Sequence, residues 1–389
     1  MEQDKKVGRN MSKQKKKRKL KIAMLGHKRV PSREGGIEVV VEELATRMVK
    51  MGHEVTCYNR RGHHVSGRKY DIENRHYYKG IRLKKVFTIE KRGLAAMTSS
   101  FFAAIRTAFN SYDVVHFHAE GPCAMIWLPK LLGKHCVATI HGLDHQRAKW
   151  GKFAQWYILL GEKMAVKYAD EIIVLSRGVQ RYFWDTYKRK TKFIPNGVNV
   201  PEKKEANIIT MKFNLVKDDY ILYVGRLVPE KGLEYLIKAF KMIKTSKKLV
   251  IAGGASDTNE FEQRLRYLSD TNENIIFTGF VQGEILEELY SNAYIYVLPS
   301  DLEGMPLSLL EAMSYGNCCM VSDIEECSSV IQENGITFKK GNILDLKKKL
   351  QVALESEEKV KEIRNKSAEF ICNKYNWDDI TNKTLGLYY

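Results

Sequence analysis

The stretch Tyr294–Gly316, YIYVLPSDLEGMPLSLLEAMSYG, decides how the chain is read. Residues 294–298 are continuously apolar or aromatic, the pattern of a strand buried on both faces of a sheet. Pro299 ends the run, and Pro306, which follows Gly304 between the two glutamates, suits the first turn of a helix over about 305–315. Glu303 then falls in the loop and Glu311 about a turn and a half into the helix. In parallel sheets ligands bind outside the carboxyl ends of the strands, which is where this loop lies. A carboxylate near a helix N-terminus can accept two hydroxyls of a sugar or ribose. Glutamate pairs are also common in ordinary helices, so their spacing alone names no ligand.

The same strand–loop–helix unit recurs along the chain. Upstream of 200, strands are predicted at 20–25, 54–59, 113–117, 136–140 and 171–175, with helical periodicity over 37–51, 94–109 and 153–168. Downstream, strands are predicted at 220–224, 248–252, 275–278, 294–298 and 318–321. Helices are expected near 231–244, 258–270, 283–291, 305–315 and 342–356. Between the two series, FIPNGVNVP (193–201) combines two prolines with Asn-Gly and reads as a turn-rich boundary. An α/β protein with two doubly wound, Rossmann-like domains follows, and the cleft between them becomes the expected site. At 389 residues the chain has the length for two such domains.

Three further segments place chemistry at strand exits. After the first strand, GHKRVPSREGG (26–36) ends in Gly35 and Gly36 at a helix start, where backbone N–H groups and the helix dipole favour an anion. The spacing is not the G-x-G-x-x-G fingerprint, which disfavours NAD; a flexible loop with helix-starting glycines fits the same residues. GRLVPEKG (225–232) puts Arg226 and Lys231 on a strand-to-helix loop, one able to grip phosphate bidentately, the other a compact charge. His141 ends a strand in TIHGLDHQRAKWG (139–151), where it can bond a substrate hydroxyl or phosphate, although a lone histidine is more often structural. His116 and His118 lie too near a strand core to favour metal ligation.

Taken together these residues resemble retaining glycosyltransferases of family 4, which have the GT-B fold. The resemblance runs from about residue 20 to the C-terminus. It rests on Glu303-x7-Glu311 followed by EAMSYG, on GRLVPEKG, on PNGVN (195–199) and on the Gly35–Gly36 pair, all in order. PSREGGIEVVVEEL (31–44) and HGLDHQRAKWG are similar to a bacterial subgroup of surface-polysaccharide rhamnosyl- and glucosyltransferases. The resemblance implies an acceptor-side domain over 20–199, a donor domain over 200–374 and a helix of about 375–389 crossing back, anchored by Trp377. It implies a nucleotide diphosphate sugar (UDP-, dTDP- or GDP-linked) as donor and a saccharide or lipid-linked saccharide as acceptor. Neither a tightly bound cofactor nor a catalytic metal is expected. Arg226 and Lys231 would bind the diphosphate, Glu311 the ribose and Glu303 the transferred sugar. Gly36 would approach the diphosphate and His141 the sugar near its reacting carbon.

Charge and cysteine content narrow the setting. The net charge of +18 invites nucleic acid, an anionic membrane or a phosphorylated ligand. It is uneven: residues 1–21 carry 10 basic and 2 acidic side chains, 22–200 carry 30 and 15, and 201–389 carry 24 and 29. Residues 1–19 read as a solvated basic tail, too charged for a secretory leader. Seven cysteines without a C-x-x-C suggest a reducing compartment, and no apolar run approaches the roughly 18 residues that span a bilayer. A cytoplasmic enzyme is expected, its basic half turned to the anionic inner leaflet. No helix-turn-helix, zinc-finger or RNP pattern supports nucleic acid as partner. A noncatalytic membrane-surface protein and a sugar-nucleotide epimerase of the same fold are the other readings.

Overall fold

The computed structural model describes residues 18–62, 76–91, 93–147, 151–254, 260–270 and 272–389. The basic tail falls outside them except for its last two residues, as do Ala148, Lys149 and Trp150 of the HGLDHQRAKWG segment.

Two sheets organise the chain. The first contains β1 (Lys21–Leu25), β2 (Glu54–Arg60), β3 (Tyr77–Tyr78), β4 (Ile81–Val86), β5 (Val114–His118), β6 (His135–Ile140), β7 (Glu171–Val174) and β8 (Lys192–Phe193). Their order is β3-β4-β2-β1-β5-β6-β7-β8, parallel except for the antiparallel pair β3–β4. The second sheet contains β9 (Tyr220–Val224), β10 (Lys248–Ala252), β11 (Ile275–Gly279), β12 (Ile295–Leu298), β13 (Cys319–Ser322) and β14 (Ile336–Phe338). It is parallel throughout, in the order β11-β10-β9-β12-β13-β14.

Strand order reverses between β1 and β5 in one sheet and between β9 and β12 in the other. At such a reversal the following loops diverge to opposite faces and leave a crevice. The loops in question are 26–35 after β1, 225–232 after β9 and 299–306 after β12. All three had drawn attention for their residue types. The central strands are fully buried, as helices on both faces require: every residue of β5, β12 and β13 is inaccessible.

The chain then crosses back. Helix Trp377–Leu385 starts under an Asn376 cap whose side chain accepts from the N–H groups of Asp378 and Asp379. Trp377, Ile380, Leu385 and Tyr388 join the first sheet's core beside Val40, Leu44 and Met48. Val198 bridges Asn376 and its N–H donates to the Tyr375 carbonyl at 2.8 Å, so both interdomain passages lie side by side.

Several elements depart from the sequence reading. Helix Glu357–Lys374 was not anticipated; only Val360, Ser367 and Ile371 are buried on it, too thin a stripe to show a period. Exposed pairs Glu357–Lys361 and Glu362–Lys366 support it instead. The helix expected from 231 begins at Leu233, because Pro229–Lys231 first forms a 3-10 turn. Pro306 is the residue before helix Leu307–Ser314 rather than inside its first turn.

Candidate active site

The loop after β12 carries the decisive carboxylate. Glu303 Oε1 accepts from Lys231 Nζ at 2.5 Å and from the Ser300 hydroxyl at 2.6 Å, with both charged side chains largely buried. Two opposite charges taken from water together avoid the cost of burying either alone. Lys231 is delivered by the 3-10 turn after β9, so the neighbouring switch-point strands each supply one partner. Arg226, on the same loop, is half-buried and its guanidinium has no hydrogen bond or ion pair among the described residues. Its backbone carbonyl is fixed by the Tyr223 hydroxyl at 3.1 Å.

Glu311 projects from helix Leu307–Ser314, its Oε2 accepting from the Tyr290 hydroxyl at 3.2 Å. Burial pushes its carboxyl above the ordinary range, and the Arg33 guanidinium from the opposite loop pulls it back. Gly36 starts the helix that follows the β1 loop and Gly35 precedes it. A Cβ on Gly36 would lie 3.4 Å from Leu307 Cδ1, which puts this loop directly against the Glu311 helix.

His141 closes the site from the end of β6. It stands 3.1 Å, Nε2 to Nδ1, from His118, whose ring lies on His116 with centroids 4.2 Å apart. His116 in turn meets the Tyr388 hydroxyl at 2.6 Å and the Thr139 hydroxyl at 2.7 Å. Burial lowers the pKa of His141 to about 4 and that of His116 to about 3, and drives His118 well below its usual value. At neutral pH these rings are uncharged hydrogen-bonding groups.

The two halves meet at backbone. A Cβ on Gly304 would lie 1.6 Å from the His141 carbonyl oxygen and 3.2 Å from the Gly142 Cα. Glycine at 304 is what lets the loop after β12 touch the loop after β6. These contacts join Lys231 to Glu303, the adjacent Gly304 to His141, and Gly36 to the helix that carries Glu311, while Arg226 shares the loop of Lys231.

Residues 34–202 match the family described as Glycosyltransferase Family 4, and residues 207–370 match Glycosyl transferases group 1. The chain belongs to glycosyltransferase family 4. An uncharacterized glycosyltransferase of Methanocaldococcus jannaschii is 27% identical over 400 residues, covering 95% of this chain and 98% of that protein. The N,N'-diacetylbacillosaminyl-diphospho-undecaprenol alpha-1,3-N-acetylgalactosaminyltransferase of Campylobacter jejuni is 32% identical over 199 residues, 51% of this chain and 50% of that protein. Among solved structures, Anabaena HepE in complex with UDP and glucose superposes with a TM-score of 0.79. The identity is 14%, over 94% of this chain and 98% of that one.

This glycosyltransferase holds site-shaping residues that the sequence reading passed over. Asn196 donates its side-chain amide to the Met305 carbonyl at 3.1 Å, tying the PNGVN boundary to the Glu303 loop. Arg147 lies 2.7 Å from Asp144 and 3.9 Å from Glu230 of the second sheet's half. Gly304 was quoted in the motif without a role. Asn196 and Gly304 stand within quoted motifs, but nothing in one sequence signals that Asn196 meets Met305 or that Gly304 meets His141.

Proposed function

We propose that this glycosyltransferase moves a hexose or deoxyhexose, with retention of anomeric configuration, from a nucleotide diphosphate sugar. The acceptor is a saccharide or lipid-linked saccharide in cell-surface polysaccharide synthesis. The observation that carries the reading is the Lys231–Glu303–Ser300 cluster facing His141 across the Gly304 contact. HepE was solved with UDP and glucose, and the Campylobacter transferase is named for a diphospho-undecaprenol acceptor.

In this reading residues 20–199 with the returning helix form the acceptor side, and residues 200–374 the donor side. Arg226 and Lys231 hold the diphosphate and stabilise the negative charge that grows as the sugar departs. Glu311 accepts the ribose hydroxyls and Glu303 the hydroxyls of the transferred sugar. Gly35 and Gly36 let backbone N–H groups near the diphosphate. Neutral His141 bonds the sugar beside the reacting carbon. The departing phosphate takes the acceptor's proton on the same face, so no separate base is assigned.

Membrane contact is part of the proposal. Phe101, Phe109, Leu131, Phe153 and Trp156 are exposed on three neighbouring helices of the basic half. Lys152 stands exposed beside Phe153, and an apolar face with a basic residue at its edge suits an anionic bilayer. No described helix is long and apolar enough to cross one.

The test is nucleotide-dependent thermal stabilisation. UDP, dTDP or GDP raises the Tm, and Lys231→Ala combined with Glu311→Ala removes the rise. Stabilisation by duplex DNA or RNA but by no nucleotide overturns the transferase reading. Screening nucleotide diphosphate release across donors then identifies the sugar, and anomeric NMR of the product checks retention.

A further inference from the structure

A second constellation lies on the far side of the His141 loop. Glu120 opens a short helix after β5, Glu162 sits within helix Lys152–Tyr168, and His145 lies in the 3-10 turn Asp144–Gln146. One oxygen of each carboxylate is already fixed. Glu120 Oε1 accepts the Asp144 N–H at 3.0 Å, and Glu162 Oε1 accepts the hydroxyls of Tyr182 at 2.8 Å and Tyr187 at 2.5 Å. The other oxygen of each, Glu120 Oε2 and Glu162 Oε2, is buried without a partner, and so is His145 Nδ1. One ligand atom of each of the three residues lies within 4.8 Å of the other two, and His145 Nδ1 is 3.5 Å from Glu162 Oε2.

The backbone has been shaped to bring them together. Gly161 packs so closely that a Cβ there would lie 1.9 Å from the Glu120 carbonyl oxygen. That approach sets Glu162 beside Glu120. Both glutamates are 0% exposed. An ion pair between a protonated His145 and Glu162 would satisfy two of the three atoms and leave Glu120 Oε2 orphaned in the interior, an arrangement native structures rarely keep.

We propose that Glu120 Oε2, Glu162 Oε2 and His145 Nδ1 bind one divalent transition-metal cation of the zinc or manganese type. Two carboxylate oxygens and an imidazole nitrogen suit such an ion. The tyrosine hydroxyls and the Asp144 N–H act as outer partners that aim the free oxygens. The cation is structural. It pins the turn 144–146 to helix Lys152–Tyr168 and so fixes His141 and Arg147 at either end of that loop. This goes beyond the transferase reading and has a readout independent of turnover.

The experiment is metal analysis of the tag-free, full-length chain after EDTA washing and dialysis against Zn²⁺, Mn²⁺ or Co²⁺. The wild-type chain retains about one cation per molecule and its Tm rises on loading. Bound Co²⁺ gives a visible absorption that disappears in His145→Ala. Tyr187→Phe, which keeps all three ligands and loses one outer partner, binds roughly 10-fold more weakly. Two results overturn the proposal. One is a wild-type chain that retains no cation and shows no Tm change, as an ion pair or an enclosed water would give. The other is retention unchanged in both His145→Ala and Glu162→Gln, which places the cation elsewhere.

Discussion

Replacing Gly304 with alanine tests whether the contact between the two halves matters to turnover. The added methyl carbon would lie 1.6 Å from the His141 carbonyl oxygen, where a non-bonded contact needs about 3.5 Å. The loops must therefore separate by about 2 Å. Backbone lies on both sides, so no side chain can swing aside. A displacement of 1 Å at reacting groups can cost about 100-fold, so kcat/KM should fall by at least that factor, about 3 kcal/mol in the transition state. Folding should suffer less, because opening the crevice relieves the clash without disturbing either sheet. Arg226, Lys231 and Glu311 all lie in the same half as residue 304, so nucleotide stabilisation should persist. The assay is the initial rate of nucleotide diphosphate release, run beside the thermal shift with the same nucleotide. A Gly304→Ala enzyme turning over within about 3-fold of wild type would refute the idea that this backbone contact sets the reacting geometry.

Other consequences can be checked separately. His27, His116 and His141, with pKa values lowered to about 4, 3 and 4 by burial, should hold their imidazole NMR shifts unchanged from pH 7.5 to about 5.5; midpoints near 6.5 would contradict the burial argument. Since the unfolded chain takes up those protons first, these histidines stabilise the fold fully above about pH 6.5 and progressively less down to about pH 4 for His27 and His141 and about pH 3 for His116. Trp377→Ala should cost about 3–5 kcal/mol and loosen the returning helix, seen as faster amide exchange over 377–385 than elsewhere. Lys231→Ala leaves Glu303 buried without its cation, so its Tm should fall more than that of Lys231→Ala/Glu303→Ala; the reverse order would mean the pair is not mutually compensating.

Much of this was legible in the sequence because buried parallel strands are written as short apolar runs, and β1, β5, β9, β10 and β12 fall within a residue or so of their predicted positions. The site motifs were legible for a related reason: loops after switch-point strands must carry the ligand-facing residues, and Arg226, Lys231 and Glu303 are conspicuous there. Strand β4 was missed despite its alternating pattern, whereas other missed elements lack such signals. Helix Glu357–Lys374 buries too little to show periodicity, and the two-residue strands β3 and β8 are defined by their partners. The contact between Gly304 and His141 joins positions 163 apart, and the convergence of Glu120, His145 and Glu162 depends on the close approach at Gly161. Packing of that kind is absent from local pattern. The sequence reading weighed His141 singly, although its surroundings are a stack of three histidines ending on Tyr388.

Four of the buried or half-buried glutamates share one device. Glu303 is anchored through Oε1 by Lys231 and Ser300, and Glu311 through Oε2 by Tyr290. Glu120 and Glu162 are likewise anchored through Oε1. Each then presents its second oxygen in a fixed direction at little further entropic cost, because the side chain is already immobilised. What differs is what that oxygen faces. At Glu303 and Glu311 it is not among the buried atoms left without a partner, and in the proposed reading it exchanges water for the hydroxyl of a ligand that comes and goes. At Glu120 and Glu162 it is shut from solvent, and a ligand atom of each lies within 4.8 Å of a His145 ring nitrogen. An oxygen that cannot trade with water has no cheap charged, unbound state; burial pushes the Glu120 carboxyl toward its protonated form, and a resident cation would relieve it instead. The same anchoring therefore supports transient recognition in the crevice and permanent occupancy behind the His141 loop, with solvent access deciding between them.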